Sequence, residues 1–66
     1  MSSNSIEIRL ITEKDLATAL AMQPQSLADW RHRGHGPPYL KLGHLVRYRV
    51  ADVQDWLDTL RAGGAL

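Results

Sequence analysis

Apolar residues recur at helical spacing in the first part of the chain. Leu16 and Leu20 lie one turn apart and give this segment a single apolar face that extends to about residue 21. Thr12 stands just before it, and its hydroxyl can accept a hydrogen bond from the backbone N–H of Asp15, as an N-cap residue does. The pattern therefore predicts a first helix that begins at Thr12.

A second helix is predicted directly after a short turn. Pro24 suits the first helical position because its missing N–H has no partner within the helix. Gly34 can supply the left-handed residue that ends the helix after Arg33. One side of the helix carries Leu27, Trp30 and Arg31. The opposite side is polar, and two short helices joined by so few residues are typical of a helix-turn-helix.

The C-terminal half is predicted to form a hairpin and a third helix. Pro37 and Pro38 keep the chain extended after the second helix. Two strand-like runs follow at 39–42 and 46–49, and apolar residues at helical spacing predict a helix over 52–61. The fold class is therefore α+β and mostly helical, in the order helix, helix, two-stranded hairpin, helix.

The length of the hairpin loop decides which residues face the core. With a two-residue loop, Leu40 would stand opposite Arg47, and apolar and charged side chains would share one face. A three-residue loop at 43–45 separates them. Its pairs are Leu42 with Val46, Leu40 with Tyr48 and Lys41 with Arg47. We predict this second register, which turns the leucines inward and the basic residues outward.

The length of 66 residues limits the chain to one small domain, predicted at 9–61 between a disordered segment at 1–8 and a flexible tail at 62–66. A core this small leaves little structure to enclose a substrate. The sequence also shows neither a catalytic arrangement of residues nor a cofactor-binding motif, so we expect no enzymatic activity and no cofactor. The chain has no Cys. Its short apolar runs and the absence of a secretion signal predict a soluble, cytoplasmic protein that does not enter a membrane.

Charge is strongly segregated along the sequence. Between Trp30 and Ala51 the chain has five Lys or Arg residues and three His but no Asp or Glu. The rest of the chain carries three basic residues against seven acidic ones. A basic stripe on a small domain is typical of a protein that binds a polyanion, although a solvated charge run would look the same.

Four blocks of sequence carry a family resemblance. They are residues 10–17 (LITEKDLA), 24–31 (PQSLADWR), 36–43 (GPPYLKLG) and 46–49 (VRYR), followed by Trp56 and Leu57. In this order and spacing they resemble the small winged helix-turn-helix proteins of the excisionase and AlpA type, related to the MerR DNA-binding domain. The resemblance implies a winged helix-turn-helix that binds double-stranded DNA of a phage or integrated element.

Two roles are implied by this resemblance, and the sequence does not separate them. Such proteins act as recombination directionality factors beside an integrase, or they regulate transcription by RNA polymerase. One module covers only about 600–1,000 Å² on DNA, so we expect cooperative self-association there. A rival hypothesis from another class is a protein-interaction module that docks on an acidic partner.

The resemblance also assigns candidate DNA contacts to residues of this sequence. The second helix would present four residues to base edges in the major groove: Gln25, Ser26, Asp29 and His32. Phosphates would be held by Arg31, Arg33, His35, Lys41, His44, Arg47 and Arg49. Asp29 would repel phosphate unless it reads a cytosine amino group or pairs with Arg33 one turn away.

Several residues have a structural interpretation beside a functional one. Trp30 and Trp56 lie on apolar helix faces and are expected to be core residues rather than base-stacking ones. Leu45 at the predicted hairpin tip is either an ordinary surface leucine or a contact to the minor groove or to a neighbouring protomer. The three His have poor spacing for zinc and no Cys beside them, so no metal site is expected.

Overall fold

A computed structural model of the protein describes residues 8–61. The elements in chain order are β1 (Leu10–Thr12), α1 (Glu13–Ala19), α2 (Pro24–Arg33), β2 (Leu40–Leu42), β3 (Leu45–Arg49) and α3 (Val50–Arg61). The α+β class and the three predicted helices are confirmed. The predicted tail and all but the last residue of the predicted disordered segment lie outside the described residues. Between residues 8 and 61, no helix is both long and apolar enough to cross a membrane.

The first helix begins where the sequence predicts and ends earlier. Thr12 Oγ1 accepts a hydrogen bond of 3.0 Å from the backbone N–H of Asp15, which confirms the N-cap. The helix stops at Ala19 rather than near residue 21. Ala21 has a φ of 57°, a left-handed conformation that no right-handed helix can include. The backbone N–H of Met22 then donates to the carbonyl of Ala17 at 2.8 Å and closes the turn into α2.

The second helix has the predicted bounds. Pro24 occupies its first turn, and Gly34 follows it with a φ of 76°. The backbone N–H of His35 donates to the carbonyl of Trp30 at 2.8 Å. The left-handed conformation of Gly34 makes this bond possible, and the bond satisfies a carbonyl at the helix end that has no partner within the helix. Leu27 is fully buried, which confirms the apolar side of α2.

The sheet has one strand more than the sequence predicts. Its order is β1–β3–β2, and both pairs are antiparallel. The extra strand, β1, is only three residues long and leads directly into the cap of α1. Such a segment is too short to show a two-residue alternation, so its pairing with β3 could not be recognised from the pattern.

The predicted hairpin register is wrong. The observed pairs are Leu40 with Arg47, Lys41 with Val46 and Leu42 with Leu45. The loop therefore has two residues, Gly43 and His44, and Gly43 has the positive φ of 67° that such a tight turn accommodates. The predicted register turns Leu40 and Leu42 inward because it separates apolar from charged residues. In the structure these leucines share a face with Arg47, and the core is covered from the sheet by Val46 and Tyr48 of β3 and by Ile11 of β1, on the other side of β3 from β2.

The two faces of the sheet consequently differ in composition. Tyr48 is 1% exposed, and residues paired across a ladder share a face, so Ile11 and Val46 lie with it on the inner face. We call the opposite side the outer face. It carries Leu10, Thr12, Leu40, Leu42, Leu45, Arg47 and Arg49. The prediction that the basic residues of both strands share one face fails for Lys41, which pairs with Val46 on the inner side.

The core lies between the inner face of the sheet and the helices. Its buried members are Leu16, Ala17, Leu27, Tyr48 and Val53. Trp30 packs against this cluster, in agreement with its predicted core position. Trp56 is half-buried and does not belong to the cluster; its ring meets that of Trp30 edge-on with centroids 5.8 Å apart. Helix α3 starts at Val50, two residues before the predicted Asp52, because it follows β3 without a loop.

Candidate nucleic-acid interface

The side of α2 that faces away from the core is polar and exposed. The four residues predicted to read bases all lie there: Gln25, Ser26, Asp29 and His32. They are turned outward because Leu27 is drawn into the core on the opposite side of the same helix. The structure therefore places this predicted group together on one exposed helix face.

Asp29 pairs within that face rather than with Arg33. The side-chain amide nitrogen of Gln25 donates to Asp29 Oδ1 at 3.2 Å, one helical turn away. No ion pair between Asp29 and Arg33 forms among the described residues. The bond uses one of the two amide N–H donors of Gln25, so the second N–H, the carbonyl oxygen of Gln25 and the second oxygen of Asp29 stay available at the surface.

Arg31 is not available as a phosphate contact, and this prediction is corrected. Its Nε donates to Glu13 Oε2 at 2.8 Å and its Nη2 donates to Oε1 at 3.3 Å, so the guanidinium grips the carboxylate at two points. The two side chains are only 16% and 21% exposed. Arg31 thus joins the start of α1 to α2 as a structural residue.

Tyr48 completes this polar cluster from the sheet. Its hydroxyl donates to Glu13 Oε2 at 3.0 Å, and its ring lies against that of Tyr39, over which the guanidinium of Arg31 sits at 5.7 Å. The hydrogen bond from Arg31 lowers the pKa of Glu13 below its ordinary value of 4.5, against the opposing effect of desolvation. Burial and the hydrogen bond to Glu13 raise the pKa of Tyr48 well above its ordinary value of 10.0.

Sequence reasoning missed Glu13 because its partners are far away in the chain. Arg31 lies 18 residues and Tyr48 35 residues further on, and no local spacing connects them. The available signal was indirect: Arg31 falls on the side of α2 that carries Leu27 and Trp30, and a basic residue on an apolar side is rarely buried without a partner.

Two arginines lie together on the outer face of the sheet. Arg49 is 53% exposed, and its Nε lies 3.8 Å from Asp52 Oδ2, a loose surface pair. Arg47 is half-buried, and its Nη1 donates to the neighbouring carbonyl of Val46 at 2.7 Å. These contacts leave most donors of both guanidinium groups open to a ligand.

The remaining predicted phosphate contacts are all exposed. They are Arg33, His35, Lys41 and His44. Of the carboxylates that the structure describes, none forms an ion pair with Arg33, Lys41 or Arg47. The exposed cations therefore divide between the end of α2 and the hairpin.

The three histidines do not come together in residues 8–61. No group of three or more His, Asp or Glu side chains in this part of the chain is placed to hold an ion. His32, His35 and His44 are exposed and lie on three different segments, the end of α2, the turn after it and the hairpin loop.

No protein-family model matches this chain, and no curated protein matches it significantly. The fold and the site described above rest on the chain's own residues.

Proposed function

We propose that this protein binds double-stranded DNA as a winged helix-turn-helix. The observation that carries the proposal is that the exposed α2 face is polar and that Arg33 at the end of this helix and Lys41 and Arg47 on the hairpin form no ion pair with the described carboxylates. Arg49 has only its loose pair with Asp52. Exposed cations of this kind are stabilised by a polyanion. Arg31 is not among them, because it pairs with Glu13.

In this proposal α2 enters the major groove and the hairpin contacts the adjacent backbone. The major groove admits an α-helix, and the flanking phosphates are within reach of a basic ribbon beside it. Arg33, Arg47 and Arg49 hold phosphates, with Lys41 on the other side of the hairpin. Gln25 keeps an acceptor and one donor, which suit adenine N6 and N7, and the second oxygen of Asp29 can accept from a cytosine amino group.

The biological role that best fits such a module is an accessory one. The resemblance described above supports an excisionase-like directionality factor or an AlpA-type transcription regulator. Because a single module covers little DNA, specific binding by this protein requires neighbouring copies or a larger partner such as an integrase or RNA polymerase.

The salt dependence of DNA binding tests the electrostatic part of the proposal. If Arg33, Lys41, Arg47 and Arg49 each displace a counterion, log K falls against log salt with a slope of about −3.6. Fluorescence anisotropy of an end-labelled duplex, titrated at several salt concentrations, measures it. A slope near zero would contradict binding through phosphates.

A charge-reversal pair identifies the surface. The double variant Arg47→Glu and Arg49→Glu is expected to abolish retention of the duplex in the same assay. Arg61→Glu is the matched control for the single variant Arg49→Glu, because both reversals change the net charge by two and Arg61 lies on α3 with 81% of its side chain exposed. Equal losses in both would show that net charge, not the outer face, controls binding; circular dichroism verifies that the variants stay folded.

Asp29 favours a second candidate, a protein-interaction module. An acidic side chain in the middle of the exposed face of α2 opposes phosphate but suits a partner protein. Under this alternative, Asp29→Asn does not strengthen DNA binding. The double reversal of Arg47 and Arg49 leaves DNA retention unchanged, but it abolishes binding of an acidic protein partner.

A further inference from the structure

A groove lies on the outer face of the sheet, at the end away from the hairpin loop. It has a volume of about 570 Å³, and most of its lining is apolar, from Ile8, Leu10, Leu40 and Val50. Ligand pockets in proteins have volumes of about 300–1,000 Å³. The groove is therefore large enough to take apolar side chains from a partner.

Backbone pairing fixes the walls of this groove. The backbone N–H of Val50 donates to the carbonyl of Arg9 at 3.0 Å and holds the chain before β1 against the start of α3. Leu10 and Leu40 reach the same outer face from the two strands that flank β3. Both are half-buried, yet neither belongs to the core or to the residues packed against it. Covering them with further apolar surface is therefore favourable.

Two arginines, and no carboxylate, complete the lining of the groove. They are Arg9 and Arg49. Arg9 is exposed and forms no ion pair with the carboxylates that the structure describes. Arg49 has its loose pair with Asp52 at 3.8 Å, a surface contact that contributes little. Both guanidinium groups can therefore donate to a carboxylate of a bound partner.

We propose that this groove docks a segment of a partner protein in which apolar side chains are followed by carboxylates. The apolar floor takes the first part of such a segment, and Arg9 and Arg49 pair with the second. The site adds a protein partner to the DNA binding proposed above and does not depend on it, since the two share only Arg49.

Charge and polarity favour this partner over two other occupants. Duplex phosphates would satisfy the arginines, but they bring no apolar side chain to cover Leu10 and Leu40. Two copies of this chain packed through the same groove would place Arg9 and Arg49 of one copy against those of the other, because an isologous contact repeats one surface. Like charges placed together in an interface oppose association.

A titration with synthetic peptides tests the site. The probe is a short peptide with two leucines followed by two glutamates, and two-dimensional amide NMR of the isotope-labelled full chain reports where it binds. We expect the amide signals of Leu10, Leu40 and Val50 to shift. Matched peptides that replace the leucines with serines, or the glutamates with lysines, should each bind about tenfold more weakly, because each loses one half of the contact.

Two variants and their controls locate the contact on the protein. Leu40→Ala and Arg9→Glu should each weaken binding of the leucine–glutamate peptide about tenfold. Leu42→Ala is the control for the first, since Leu42 is 48% exposed on the same face but does not line the groove. Arg61→Glu is the control for the second, with an equal change of charge on α3. Both controls should bind like the wild type, and circular dichroism verifies that all four variants stay folded.

The outcomes separate this site from its rivals and from DNA binding. No shift at the groove with about 1 mM peptide, or equal binding of all three peptides, overturns the proposal. Equal losses in the variants and their controls also overturn it. Groove signals that shift with protein concentration alone would make a second copy the occupant, and the proposal would be wrong. Failure of the same protein to retain a duplex would overturn the proposed function and leave the docking groove standing.

Discussion

Arginines from one basic stretch of sequence occupy two different environments. Arg31 lies against Glu13, with 16% of its side chain exposed, and also contacts the ring of Tyr39. Arg49 on the outer face is 53% exposed and has only a loose pair with Asp52. Arg31 therefore stabilises the packing of the protein, whereas Arg49 faces solvent.

The difference shows that the position of an arginine in the fold, rather than its charge, decides whether it stabilises the protein or is available to bind a ligand. A partly buried guanidinium requires a carboxylate because an unpaired charge in such a place is costly. An exposed one needs no partner, and its interaction with a surface carboxylate contributes little. Substitutions in the interior region should therefore lower stability, and those on the outer face should alter ligand binding.

Removal of Arg31 should produce the largest loss of stability. Arg31→Met keeps much of the apolar stem but leaves Glu13 without its charged partner, and we expect it to lower the free energy of unfolding by about 2–3 kcal/mol. Arg61→Met, at a position 81% exposed, should cost under about 0.5 kcal/mol. Urea unfolding followed by the fluorescence of Trp30 and Trp56 measures both. Equal small losses would erase the distinction between the two regions.

Two glycines extend the same comparison to the backbone. Gly36 has a φ of 84°, and a Cβ placed on it would lie 2.9 Å from Cε3 of Trp30. Gly43 has a φ of 67° but open space around it. Alanine at either position strains the left-handed backbone by about 1 kcal/mol, and Gly36→Ala must also displace the indole, for a total of about 2 kcal/mol. Urea midpoints that fall equally for both variants would show that Trp30 yields without cost.

The elements that could be predicted from the sequence are those with a local cause. Pro24 and Gly34 bound α2 through their own backbone preferences, and Thr12 caps α1 through a hydrogen bond to the third residue after it. Leu16 and Leu27 reach the core because helical spacing alone turns them to one side. Each of these predictions depends on a few neighbouring residues.

The features that escaped prediction depend on distant parts of the chain. The predicted register of the hairpin is wrong because it takes no account of β1, which pairs with the other edge of β3 and brings Ile11 to the inner face. Arg31 was assigned to phosphate because Glu13 is 18 residues away. For the candidate site, the exposure of the α2 residues followed from periodicity, but the separation of Lys41 from Arg47 followed only from the observed register.

The smallest expected effect is the pH dependence of the interior cluster. Because the pKa of Glu13 is lowered in the folded protein, the folded state holds fewer protons than the unfolded chain near the ordinary pKa of 4.5. Its contribution to stability is therefore present above that pH and lost as the pH falls through the lowered pKa. Tyr48, whose pKa is raised, contributes below its ordinary value of 10.0 and loses that contribution as the pH rises beyond it.

Glu13→Gln isolates this contribution because it removes the titrating group and keeps the side-chain shape. Urea midpoints of the wild type and the variant should differ most above the ordinary pKa of 4.5, and the difference should shrink as the pH falls through the lowered pKa of Glu13. Asp58→Asn, at a position 67% exposed, is the control and should follow the wild-type curve closely. If the gap between wild type and Glu13→Gln did not shrink as the pH fell, the loss in the variant would not come from the charge of Glu13. In that case Arg31 would be held by packing, and the interior and outer arginines would differ in burial but not in their dependence on a charged partner.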